Sequence, residues 1–164
     1  MALYGVGNPD WSRKLARDLA LGKSPLLAPG SPIGYYYLLE LMDRYGYGDE
    51  ILKVVGKRWG DILLDGDGTT WEMFSDYGYG SWPTRSRCHP YSAYVVKHLV
   101  KYILGVEILA PGFSTVRIKP CPPKHVTRGT GAVPTPYGPL RISWLRRSGK
   151  MDLDIEAPKG ITVV

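Results

Sequence analysis

The apolar residues of this 164-residue chain keep two different periods, and the change between them near residue 110 limits what the chain can fold into. A 3.6-residue period buries one stripe of a helix, whereas strict alternation buries one face of a strand, and neither pattern is stable in the other conformation. Ahead of the change, "NPDWSRKLARDLALG" reads as a helix with Asn8 as N-cap, Pro9 at the first helical position, and Trp11, Leu15 and Leu19 on the buried face. "SPIGYYYLLELMDRYG" repeats the scheme with Ser31 as cap, Pro32 first, and Tyr35, Leu38, Leu39, Met42 and Tyr45 as the stripe. After a short Gly-containing turn, "DEILKVVGKRWG" places Ile51, Leu52, Val55 and Trp59 on one face, so the two segments are expected to form a helical hairpin. A fourth helix is expected over "PYSAYVVKHLVKYILG", with Ala93, Val96, Leu99, Val100 and Ile103 inward, His98 on the exposed side, and Gly105 ending the run.

Beyond Pro111 the alternation takes over. Val116 and Ile118 alternate with Arg117 and Lys119. Leu140, Ile142 and Trp144 alternate with Arg141 and Ser143, and Met151, Leu153 and Ile155 alternate with Asp152, Asp154 and Glu156. Turn chemistry sits between these runs at "TPYGP", "RSGK" and "APKG", the pattern of an antiparallel meander with one buried face. The fold class read from the sequence is therefore α+β in two parts, helices over residues 1–110 and a small antiparallel β-sandwich over 111–164.

Several function classes are set aside at this stage. The formal charge of +6 comes from basic residues scattered among Asp and Glu, which describes a solvated surface, and no nucleic-acid partner is expected. No run approaches the roughly 20 apolar residues of a membrane span, so no membrane partner is expected, and the start "MALYGVGNPDW" lacks signal-peptide features, which gives a cytoplasmic expectation. Cys88 and Cys121 match no metal spacing and read as reduced thiols. The acidic spacing at Asp61, Asp65 and Asp67 lacks the ligand positions of an EF-hand. Neither a metal nor a cofactor is expected. No phosphate-binding loop, nucleophile elbow or zinc-protease motif is present.

The segment "GDGTTWEMFSDYGYGSWPTRSRCHPYS", residues 66–92, fits neither period and reads as a long ordered loop, a feature that in compact domains is often functional. Glu72, between Trp71 and Met73, has the apolar setting that holds a carboxylate in one orientation for proton transfer; a structural salt bridge with Arg85 or Arg87 is the competing reading. His89, just before Pro90, is either a side chain pointing into a concave face or an N-terminal capping or core histidine. Trp71, Tyr77, Tyr79 and Trp82 form either an aromatic platform for the C–H face of a sugar or the packing between a lid and the core.

Four blocks, "GTTWEMF", "SRCHPYSAY", "YILGVEILAPGFSTVRIKP" and "GAVPTPYGPLRISW", occur in the order in which similar blocks occur in the C-terminal part of bacterial α-L-rhamnosidases of glycoside hydrolase family 78, and the helical hairpin before them also resembles that family. The resemblance covers nearly the whole chain. It implies the C-terminal helices of an (α/α)6 barrel, of the six-hairpin glycosidase type, followed by a β-sandwich. It also implies inverting hydrolysis by two carboxyl groups. Glu72 aligns with the family's general base and His89 with a contact to rhamnose hydroxyls; Trp71, Tyr79 and Trp82 are the accompanying substrate-binding candidates. The family's general acid lies in an acidic segment of the first half of the barrel, which this sequence lacks. The expectation is a rhamnosidase-like fragment carrying the general-base half of the site and inactive alone. Its partners are a rhamnose-containing glycoside or other carbohydrate, together with a complementary barrel half or a second copy of the chain. The alternative is a non-catalytic carbohydrate-binding or assembly module.

Overall fold

The structure, a computed structural model, describes residues 2–23, 31–64, 68–74 and 84–164. The chain forms an α+β fold that divides into two compact units, Met1–Val96 and Lys97–Val164.

The first unit is helical. A 3-10 turn, Ala2–Tyr4, precedes helix α1, Pro9–Ala20, which is followed by α2, Pro32–Arg44, and α3, Gly48–Leu64. The Asn8 side chain caps α1 by accepting from the N–H groups of Asp10 (2.8 Å) and Trp11 (3.3 Å), with Pro9 occupying the first position as its missing N–H allows. The buried stripe of α1 differs from the expected one. Trp11 is 54% exposed, and Ser12 and Ala16 face inward instead. Small side chains one turn apart let α1 approach closely, so that Ala16 packs with Leu41 while Leu15 and Leu19 flank the contact half-buried. Ser31 stands at the N-cap of α2 but makes no side-chain cap; its main-chain carbonyl takes the N–H groups of Gly34 and Tyr35.

Helices α2 and α3 follow their apolar patterns closely. Tyr35, Leu39, Leu41 and Met42 are buried from α2, and Ile51, Val55, Trp59 and Ile62 from α3. Trp59 is the hub: Tyr35, Phe74 and Tyr94 meet its ring edge-on, at centroid separations of 5.9, 4.9 and 6.0 Å. Edge-to-face pairs of this kind add about 0.5–1.5 kcal/mol each beyond area burial. The Arg58 guanidinium covers the Phe74 ring from 4.3 Å.

The last helical segment departs from the expected uniform helix. A 3-10 turn, Pro90–Ser92, leads into α4, Val95–Leu99, and then a π-helical turn, Val100–Leu104, closed by Gly105. Each change of pitch rotates the side chains off a 3.6-residue stripe. Val96 and Leu99 are consequently exposed, and Val95 and His98 are buried; His98, expected outside, is fully enclosed.

The second unit carries two three-stranded sheets. Strands β1, Val106–Ile108, and β2, Thr115–Ile118, pair antiparallel, and β6, Thr162–Val163, joins β2. This last pairing is parallel, with Thr115 opposite Thr162 and Val116 opposite Val163, so the wholly antiparallel expectation fails at one strand. The reason is the path of the chain after the other sheet: it turns at Pro158–Gly160 and enters beside β2 in the same direction. That other sheet is an antiparallel meander of β3, Arg128–Thr135, β4, Gly138–Arg147, and β5, Lys150–Glu156; the alternation marks β4 and β5 but not β3, and groups with them β2, which lies in the first sheet. Ser148 and Gly149, both at positive φ, make its two-residue β4–β5 turn.

Val106, Val116, Val133, Leu140, Ile142 and Trp144 share one core cluster with Leu104. The Trp144 indole N–H is satisfied by the carbonyl of Ile103 at 2.7 Å. Arg146 holds the 120–127 connection by donating to the carbonyls of Pro122, Pro123 and Val126.

Gly105 is the most tightly constrained position of this unit. It adopts φ +77°, and a Cβ there would stand 2.1 Å from the Pro120 nitrogen and 2.2 Å from the Lys119 carbonyl carbon. Main-chain atoms cannot swing aside as a side chain does. Gly105→Ala is expected to cost about 3–5 kcal/mol, combining positive-φ strain with overlap. Urea unfolding of wild type and variant measures the loss.

Candidate functional site

Residues 69–74 and 84–89 are two limbs of the loop singled out in the sequence, and main-chain hydrogen bonds tie them together. The N–H of Glu72 donates to the carbonyl of Ser86 at 2.9 Å, and the N–H of His89 to the carbonyl of Thr70 at 2.8 Å. Side-chain hydroxyls complete the ladder. Thr70 donates to the carbonyl of His89 at 3.0 Å, Thr69 donates to that of Arg87, and the buried Thr84 hydroxyl accepts from Met73 N–H while donating to Ser86. Threonine suits this role because its short branched side chain reaches a neighbouring main chain at little entropic cost.

Ser92 anchors both limbs to α3. It is fully buried; its carbonyl accepts the Trp59 indole N–H at 3.2 Å, and its hydroxyl donates to the carbonyl of Trp71. The limb carrying Trp71 and Glu72 and the turn that follows His89 are thereby fastened to one serine. Residue-pattern reasoning missed Ser92, Thr70 and Thr84; the one available signal was Pro90, which marks a turn start and therefore a position two residues on that can face inward.

The candidate residues fall out as follows. Trp71 is 2% exposed, with the Arg87 guanidinium 5.4 Å from its ring centroid, and its indole N–H is buried without a hydrogen-bond partner among the described residues. Glu72 is half-buried, and among the described residues its carboxylate has neither ion pair nor hydrogen bond. The salt bridge to Arg85 or Arg87 weighed as an alternative is therefore not formed. His89 is half-buried and caps the 3-10 turn, its Nδ1 accepting the N–H of Tyr91 at 3.2 Å. Tyr77, Tyr79, Trp82, Asp65 and Asp67 lie outside the described residues.

Tyr94, on the rim of the Trp59 cluster, has its phenol pushed far above the ordinary range by burial first, then by the Glu40 charge and by Tyr35. It stays neutral at any physiological pH. A separate shallow groove of about 860 Å³ lies over the outer faces of β3, β4 and β5, lined by Arg128, Thr130, Ser143, Asp152 and Asp154 among others; it shares no residue with the two limbs.

Residues 105–164 match the bacterial alpha-L-rhamnosidase C-terminal domain. A solved family 78 rhamnosidase of Bacillus sp. GL1 superposes on 92% of the chain with a TM-score of 0.78 and 31% identity. The chain resembles the C-terminal part of a family 78 α-L-rhamnosidase. An α-L-rhamnosidase of Alteromonas sp. (strain LOR) is 25% identical over 79% of the chain, and the Streptomyces avermitilis α-L-rhamnosidase solved in complex with L-rhamnose superposes on 79% with a TM-score of 0.66 at 25% identity. The chain spans 15% of the Alteromonas rhamnosidase and 16% of the Bacillus one.

The similarity to these rhamnosidases extends beyond the matched C-terminal domain into the helical unit that carries the two limbs, since a match over 92% of the chain cannot be confined to residues 105–164. In that unit the limbs depend on Ser92. Ser92→Ala leaves the Trp71 carbonyl buried without its donor, which is expected to cost about 1–3 kcal/mol. Hydrogen exchange should then accelerate at the amides of Glu72 and His89 and remain unchanged in β4. Equal acceleration in both places would mean global rather than local loosening.

Proposed function

We propose that the chain is the C-terminal part of a rhamnosidase-like glycoside hydrolase, in which α1–α3 are late helices of an (α/α)6 barrel, the two sheets are its β-sandwich, and Glu72 is the general base of an inverting site. The observation that carries this reading is the half-buried Glu72 carboxylate, unpaired among the described residues and fixed through its own main chain to the limb that bears His89. A structural carboxylate is held by a cation or by N–H groups; one left open on an ordered main chain is suited to take a proton from a water. The similar Streptomyces avermitilis rhamnosidase, solved with L-rhamnose bound, supports a sugar of that class as the partner.

In this mechanism a water lies between Glu72 and the anomeric carbon. Glu72 accepts its proton as the oxygen attacks, and a second carboxyl group, about 6.5–9.5 Å away across the bond, protonates the leaving oxygen. His89 holds a hydroxyl of the same ring. Trp71 is the packed wall behind Glu72, and Tyr79 and Trp82 are assigned to the sugar's apolar face. The second carboxyl is assigned to a complementary barrel half. Apolar surface that such a partner, or a second copy, would cover includes Trp11, Tyr37, Leu63 and Leu64, all more than half exposed.

The test uses an aryl α-L-rhamnoside. The chain alone is expected to show no turnover. Adding a complementary barrel half should produce it, and Glu72→Gln should lower it by about 100-fold or more. Hydrolysis by the chain alone that Glu72→Gln leaves unchanged would refute the assignment. Rhamnose binding with no turnover in the complemented protein would instead favour the non-catalytic carbohydrate-binding module.

A further inference from the structure

His89 is held by its main chain and by one ring nitrogen. Its N–H donates to Thr70, its carbonyl accepts from the Thr70 hydroxyl, and its Nδ1 accepts the N–H of Tyr91 at 3.2 Å. The Tyr91 ring packs against the imidazole with centroids 4.0 Å apart and planes at 66°. Nε2 alone is uncommitted, since no other contact engages His89 among the described residues.

A ring nitrogen that accepts a main-chain N–H carries no proton, so in the neutral imidazole the proton resides on Nε2. We propose that the Tyr91 cap fixes His89 in the Nε2–H tautomer, so that His89 meets a ligand only as a hydrogen-bond donor and cannot serve as its base. The lone pair that could take a proton is turned into the cap, and what remains is an N–H that can donate. The ligand atom it selects is an oxygen with a free lone pair, such as a sugar hydroxyl. A group that can only donate is of no use to His89.

The assignment divides the labour of the site. Glu72 accepts protons and His89 only gives hydrogen bonds, so the two groups would not compete for the proton of the same water. Capping serves two ends with one side chain: the bond that orders the 3-10 turn also orients the ring, which lowers the entropy lost when a ligand docks. The ligand half of the proposal rests on the sugar-site reading above; the tautomer half rests on the geometry of the cap alone.

Two measurements on the full chain separate these halves. Long-range ¹H–¹⁵N spectra, recorded at mildly alkaline pH and assigned by comparison with His89→Asn, should show the Nε2–H tautomer for His89. An Nδ1–H tautomer, or exchange between the two, overturns the proposal whatever the chain binds. Titration with L-rhamnose then compares two variants. His89→Asn places Oδ1 where Nδ1 stood and keeps the cap but has no donor at the Nε2 position; it should melt with the wild type and bind about tenfold more weakly. His89→Gln places an amide N–H near Nε2 and loses the cap; it should melt about 2–4 °C lower and lose less affinity than His89→Asn. The reverse order of affinities overturns the donor role. An Nε2–H signal with no L-rhamnose binding by the wild type overturns the sugar reading of this site and leaves the tautomer assigned.

Discussion

The indole N–H of Trp59 donates to the carbonyl of Ser92, and the hydroxyl of Ser92 donates to the carbonyl of Trp71. These two bonds connect a long helix to both limbs of a loop whose described residues, 68–74 and 84–89, form no helix or strand. Buried main-chain carbonyls must be satisfied, and a loop cannot satisfy them with a helix or sheet ladder. Here the partners come from one tryptophan and one serine, each buried and each held by packing: Trp59 within its ring of aromatics and Ser92 inside the 3-10 turn. The site's order is therefore inherited from the α3 core and not generated within the loop.

The second unit solves a related problem by the same means. Trp144 lies in the middle of the meander's central strand, and its indole N–H reaches the carbonyl of Ile103 in the π-helical turn. Ile103 lies in the last turn before Gly105, where helix carbonyls have no donor within the helix, so a side-chain N–H arriving there meets an acceptor in need of one. In both units a large ring supplies apolar area to a core while its single polar atom closes a main-chain gap, which is why tryptophan serves at each place better than phenylalanine would.

Around Glu72 and His89 the polar groups are committed unequally. The main-chain N–H groups of both residues are engaged in the ladder, whereas the Glu72 carboxylate and His89 Nε2 have no partners among the described residues. Fixing the backbone while leaving the functional atom open is what gives a side chain both a set position and a remaining interaction to make. The neighbouring Trp71 differs in burial, its ring packed at 2% exposure beneath Arg87. It shapes the limb through contact with the protein on all sides.

The sequence by itself determined the change from helix to strand, the capping of α1 by Asn8, the inward faces of α2, α3 and β4, and the order of blocks that made Glu72 and His89 candidates. Each of these follows from spacing along one segment, because the period of the backbone turns sequence position directly into side-chain direction. Tertiary structure decided what spacing cannot encode. Strand β3 was hidden because Gly129, Gly131 and Pro134 depress strand propensity, yet those glycines are where the Trp144 ring and the Leu104 side chain lie against the sheet; a Cβ would meet them at 2.5 and 2.7 Å. The buried face of α4 was lost at two changes of helical pitch, and the inward face of α1 went to small residues that permit close approach. The capping of Tyr91 by His89, and the openness of Glu72 despite two nearby arginines, depend on which main-chain groups meet across the loop. Those meetings are set by long-range contacts, and no local period reports them.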